Sequence, residues 1–319
     1  MIRQSTFAVE PWSLRETTLD PDLLAQTESV FALSNGHLGW RGNLDEGEPH
    51  GLPGTYLNGV FALRPLPYAE AGYGFPESGQ TVINVTNGKL IRLYVDDEPF
   101  DIRYGQLRSH ERVLDFRKGV LTRTVEWVSP AGQSVRVTST RLVSLTQRAI
   151  GAISYQVEPL DGPARISVQS ELLANEQLPA SGGDPRVSAA LDNPLHCEFH
   201  ADHGTRVVVV HTTGESGLRV GAAMEHEIDG SSDVKVQVDS QAYTDGGVVT
   251  ATALLKPGQQ LSMVKYVAYG WSGSRTLPAV RDQVWAALSA AKQSGWDGLL
   301  AEQREYLDEI GRASCRERV

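Results

Sequence analysis

The chain has 319 residues, 40% hydrophobic and 21% charged, a composition of folded globular proteins and not of disordered or fibrous ones. Its formal net charge is −10 and its sequence pI about 5.3, so its summed field repels polyanions and leaves no electrostatic footprint for nucleic acid or an anionic membrane. Its two cysteines, Cys197 and Cys315, exclude a disulfide framework.

The first residues, MIRQSTFAVEPW, lack the apolar stretch of a signal peptide, and no run of about 18 apolar residues follows, which predicts a cytoplasmic protein. Neutral substrates such as sugars suit the charge. Asn84-Val85-Thr86 then reads as a chance sequon.

Residues 1 to about 80 are rich in Gly and Pro and poor in strict periodicity, which predicts loops with short strands. In LSNGHLGWRGN (33–43), Gly36, Gly39 and Gly42 space out His37, Trp40 and Arg41. One reading is a loop that offers an aromatic plane, a guanidinium and an imidazole to a sugar. The other is a strand–loop–strand entry whose glycines serve the turns. RPLPYAEAGYGFPESG (64–79) sets Tyr68, Tyr73 and Phe75 among prolines and glycines, a binding or interface loop or a cap on the sheet edge.

From about 81 to 271 strand signals repeat. TVINVT and KLIRLYV flank Asn87-Gly88, which predicts a hairpin with Ile91, Leu93 and Val95 on one face. VLTRTVEWV, the turn Ser129-Pro130-Ala131-Gly132 and QSVRVTSTRLVSL predict a half-buried antiparallel pair. RVVVVH (206–211), VKVQV (234–238) and VVTATALL (248–255) add further strands. Many short strands between turn residues predict a twisted antiparallel sandwich rather than βαβ units.

The period then changes. Pro278 opens a segment with Val280, Val284, Leu288 and Ala291 at helical spacing; Gly295 stops it, and Trp296, Leu299, Leu300 and Tyr306 carry a second helix to about 309. Two apolar stripes beyond a sandwich call for a further partner surface.

Catalytic motifs are sparse. Asp45, Glu46 and Glu48, and likewise Asp96, Asp97 and Glu98, read as solvated turns rather than a general acid and base held across a substrate. LHCEFHADH offers His196, Cys197, His200 and His203, but as a strand it puts His196 and His200 on one face and turns Cys197 away, a poor zinc set. Neither a G-x-S-x-G elbow nor a P-loop occurs. No metal or cofactor is expected.

The run VFALSNGHLGWRGNLDEGEPHGLPGTYLNGVF (30–61) resembles the N-terminal signature of family 65 glycoside hydrolases and disaccharide phosphorylases. The likeness continues through VTNGKLIRLYVDDEPFD (85–101), residues 114–145 and SGWDGLLAEQREYLDE (294–309). The resemblance implies a mainly β fold: an antiparallel, galactose-mutarotase-like β-supersandwich over residues 1–271, then a two-helix linker over 272–309 leading to an (α/α)6 barrel outside this sequence. It also implies cleavage of α-linked glucose disaccharides of the trehalose, maltose or kojibiose type by inverting phosphorolysis or hydrolysis, with inorganic phosphate as a possible co-substrate and a homodimer as a possible assembly. The family's catalytic glutamate lies in the barrel, so this chain alone is expected to be inactive.

IGRASCRERV (310–319) departs from the family pattern and reads as a non-native tail. His37, Trp40, Arg41, Tyr68 and Tyr73 are the candidate sugar contacts. A stand-alone carbohydrate-binding sandwich and a structural or dimerisation domain are the competing roles.

Overall fold

The structure, a computed structural model, describes residues 7–49, 51–65, 74, 78–176 and 193–316. Its frame is a ten-stranded antiparallel sheet facing a five-stranded one. The long sheet runs, in spatial order, through strands 8–10, 13–16, 106–115, 120–128, 134–143, 150–159, 261–272, 219–230, 206–213 and 195–203. The short sheet orders 237–243, 246–255, 164–173, 91–95 and 98–99. Alternation along each strand fills the space between them: Ile91, Leu93 and Val95 from one sheet meet residues such as Val137, Tyr155 and Val209 from the other in one core.

The predicted pair 120–128 and 134–143 forms in register, Val125 opposite Val137. Strand Arg206–Thr213 is buried on both faces, as its continuous β-branched run requires. VVTATALL lies within Gly246–Leu255.

The Asn87-Gly88 hairpin does not form. Strand Ser78–Val82 pairs with Phe61–Pro65, while Ile91–Val95 pairs with Ala164–Leu173. Asn87 instead exchanges backbone hydrogen bonds with Leu173, and a Cβ on Gly88 would lie 2.6 Å from the Tyr269 hydroxyl. That glycine admits a close approach between layers, a tertiary demand that looks identical to a turn signal in the sequence.

VKVQV enters the ladder only at Gln237; Val234 and Val236 pack on the core from the irregular segment before the strand. In strand Leu195–His203 a bulge between Cys197 and Phe199 flips the alternation, so His200 shares a face with Cys197 instead of His196.

The helical region runs Leu277–Arg316 and breaks at Gly295, whose φ of 69° and ψ of 174° lie outside the helical region. The first segment does not wait for another domain. Val280, Val284, Leu288 and Ala291 are fully buried against the outer face of the long sheet, among Ala223, Tyr266 and Ala268, so the sheet itself is the partner surface the apolar stripe required. Lys292 and Arg206 both pair with the buried carboxylate of Glu225, which pins this helix to the sheet. No helix among the described residues is long and apolar enough to cross a membrane.

Candidate functional site

The Gly-rich opening folds into a three-stranded sheet, Leu33–Ser34, Leu38–Trp40 and Thr55–Leu57, seated against one end of the sandwich. Asn35-Gly36 turns between its first two strands and Asn58-Gly59 turns from its last strand into Phe61–Pro65, with glycine φ values of 80° and 82° that suit residues without a Cβ. Between these turns and strand Ser78–Val82 lies an open groove of about 740 Å³. Its lining includes His37, Tyr56, Asn58, Phe61, Gln80 and Val82. Exposed Tyr56 and Val82 supply apolar surface, and exposed Asn58 and Gln80 supply amide donors and acceptors. Burial and the nearby Arg148 guanidinium hold the His37 imidazole below its usual pKa, so at neutral pH it offers one donor and one acceptor, as a sugar hydroxyl requires.

The sequence-derived candidates separate. His37 lines the groove. Trp40 is 1% exposed, its ring packed into the core against Gly151. Arg41 points inward: its guanidinium donates to the Ala25 carbonyl, to Ser29 Oγ and, at 3.4 Å, to the buried Glu28 carboxylate. Both side chains are committed to the domain's own structure. Tyr68 and Tyr73 lie outside the described residues. Tyr56, Asn58 and Gln80 were not singled out from the sequence; the repeated Asn-Gly pair at 35–36 and 58–59 is the signal that marks both groove walls.

Of the acidic run 45–48, Glu48 keeps a side chain 45% exposed, but Asp45 and Glu46 are not solvated. Asp45 and Glu46 are 1% and 4% exposed. Glu46 receives both terminal nitrogens of Arg123, at 2.5 and 2.9 Å, and Asp45 accepts from Arg141 and from Ser139 Oγ. Burial alone would raise the Asp45 carboxyl, but Arg141 and Arg123 outweigh it and hold it below the usual range. The arginines stand on long-sheet strands many residues away, so local spacing could not reveal the pairing. Asp96 and Asp97 do occupy an exposed turn, where Asp97 pairs with Arg165.

Beneath the same region lie two buried lysines. Lys89 donates to the Gly54 carbonyl, Thr55 Oγ1 and Asn87 Oδ1; Lys265 donates to the carbonyls of Leu90 and Glu171. Desolvation brings each down to a pKa of about 7.

The other deeply buried carboxylates are likewise engaged: Glu16 by His110 and Arg112, Glu28 by Arg41 and the Gly51 and Leu52 amides. Among the described residues that line the groove there is no pair of carboxylates; its side chains offer hydrogen-bond donors and acceptors beside exposed apolar surface. Among the described residues no cluster of His, Cys, Asp and Glu is placed to hold a metal.

Two facing antiparallel sheets, a groove at the Gly-rich opening and a kinked helix pair together define a mainly β sandwich domain. The chain belongs to glycosyl hydrolase family 65: residues 14–310 match that family's N-terminal domain. It is 56% identical, over 97% of its length, to an uncharacterized glycosyl hydrolase of Mycobacterium tuberculosis. To an α,α-trehalose phosphorylase of Thermoanaerobacter brockii it is 30% identical over 96% of its length. The chain spans only 39% and 40% of these two relatives. A solved human-microbiome structure assigned as a kojibiose phosphorylase shares the fold, with a TM-score of 0.83 at 20% identity over 95% of this chain and 38% of that one.

Proposed function

We propose that this domain is part of an enzyme that cleaves α-linked glucose disaccharides by inverting phosphorolysis or hydrolysis, and that it scaffolds a catalytic domain without supplying the catalytic acid. The observation that carries the reading is the match of nearly the whole chain to 40% of the length of a disaccharide phosphorylase. The groove around His37 is the part of the domain suited to a sugar, and its role in the proposal is to shape the acceptor side of the active site. Inorganic phosphate is the proposed attacking co-substrate if the reaction is phosphorolysis, water if it is hydrolysis, and the proposal places the enzyme in the cytoplasm.

The test is an assay of trehalose, maltose and kojibiose with and without phosphate, using the complete reading frame and the 319-residue chain in parallel. The complete protein is expected to release glucose 1-phosphate or glucose from one of them, and the chain alone neither. Turnover by the chain alone would overturn the assignment of catalysis to another domain. Titration of the chain with the same sugars, followed by NMR, tests the stand-alone binding role: shifts at His37 and Tyr56 at millimolar sugar would favour a free-standing module.

A further inference from the structure

The groove and the helix pair are far apart in sequence, yet one segment touches both. Residues 144–149 join the long-sheet strands Ser134–Val143 and Ile150–Pro159. On one side this loop meets the second helical segment. Gln303, 3% exposed, accepts from the Leu145 amide at 2.9 Å and donates to the carbonyls of Gly119 and Val143. Glu302 accepts from Thr146 Oγ1 at 2.7 Å and from Gln147 Nε2 at 3.3 Å; Gln147 Nε2 also donates to Ser294 Oγ, beside the break at Gly295.

On the other side the loop meets the groove wall. Asn35 Nδ2 donates to the carbonyls of Ser144 and Arg148, at 2.6 and 2.9 Å, while its Oδ1 accepts from the amides of His37 and Leu38. Within the loop, Gln147 N–H donates to Ser144 Oγ and Ile150 N–H to the Gln147 carbonyl. The side-chain amides of Asn35 and Gln303 thus use both their donor and acceptor ends, which ties the loop to the groove wall on one side and to the helix on the other.

We infer that Gln303 and Asn35 are positioning residues that fix His37 in the groove by way of loop 144–149, so that the seating of the helix pair sets the shape of the groove wall. The inference concerns the groove used in the proposed function and takes its biological meaning from it. Its test uses no sugar, so its failure and the failure of that reading are separate results.

Hydrogen exchange is measured on the 319-residue chain carrying Gln303→Leu, Asn35→Asp or both. Asn35→Asp keeps the acceptor for the His37 and Leu38 amides but removes both donors to the loop. Gln303→Leu is expected to speed exchange at the His37 and Leu38 amides about tenfold, the loss of roughly one net hydrogen bond, while strand Gly246–Leu255 exchanges at its native rate. The double variant is expected to match the faster single variant, since both cut one relay. Acceleration confined to 144–149, with His37 and Leu38 unchanged, overturns the inference, as does strict additivity of the two effects. If Gln303→Leu does not fold, Glu302→Ala decides on the same amides with the same two outcomes.

Discussion

Gly151 lies directly against the Trp40 indole: a Cβ built on Gly151 would come within 2.3 Å of Trp40 Cη2. The long sheet therefore leaves a side-chain-sized gap, and the groove-bearing small sheet fills it with its largest ring. Gly151→Ala is expected to cost about 1–3 kcal/mol through overpacking, read as a lower urea midpoint with an unchanged slope. Trp40 should become more solvated, with red-shifted emission. Native stability in the variant would show that the small sheet is not anchored there.

Asp45 and Arg141 are both nearly inaccessible. Arg141→Met leaves the Asp45 carboxylate with Arg123 and Ser139 as its polar partners among the described residues, and breaking such a buried pair costs about 3–5 kcal/mol. The folded pKa of Asp45 lies below its unfolded value, as does that of Glu16, where burial is outweighed by His110 and Arg112. Their contribution is therefore complete above the unfolded carboxylate pKa of about 4 and is lost as pH falls through the depressed folded values. Urea midpoints from pH 6 to pH 3 should fall steeply only below about pH 4, and less steeply in Asp45→Asn.

For Lys89 and Lys265 the sign is the same, but the window lies at higher pH. Their folded pKa of about 7 lies below the unfolded value of about 10.4. Between those values the unfolded chain holds a proton that the folded chain has released, so stability rises with pH from 7 to 9. The slope is at most about 1.4 kcal/mol per pH unit for each lysine. Lys265→Met should flatten that rise relative to the parent in paired urea titrations. An identical slope in both proteins would mean that Lys265 stays charged in the folded state.

Gly295 breaks the helical region with no neighbouring atom within 4 Å of a built Cβ, so substitution there tests backbone conformation alone. Gly295→Ala is expected to cost about 1–3 kcal/mol, the strain of a conformation that only glycine adopts readily. The loss should concentrate in protection of residues 296–309 by hydrogen exchange. An alanine that left those amides fully protected would show that the break does not depend on glycine.

The sequence alone carried the frame. Strands such as 120–128 with 134–143 join through a short turn, and their alternating residues choose the buried face, so pattern and pairing agree. The helix stripe at Val280, Val284, Leu288 and Ala291 was likewise fully legible, because helical spacing is local. Family membership rested on the whole chain and needed no single motif.

Only the tertiary structure decided where polar and irregular residues went. Asn87-Gly88 carries the chemistry of a hairpin turn, but Tyr269 and Val267 press on Gly88 from another sheet and the two flanking segments pair elsewhere. Asp45 and Glu46 look like surface acids until Arg123 and Arg141 arrive from distant strands and make burial tolerable. Trp40 has the appearance of a sugar platform, yet the gap above Gly151 takes it into the core. Local sequence fixes periodicity because it depends on backbone geometry within a few residues. The placement of charges, lone glycines and single rings depends on what the folded chain brings against them.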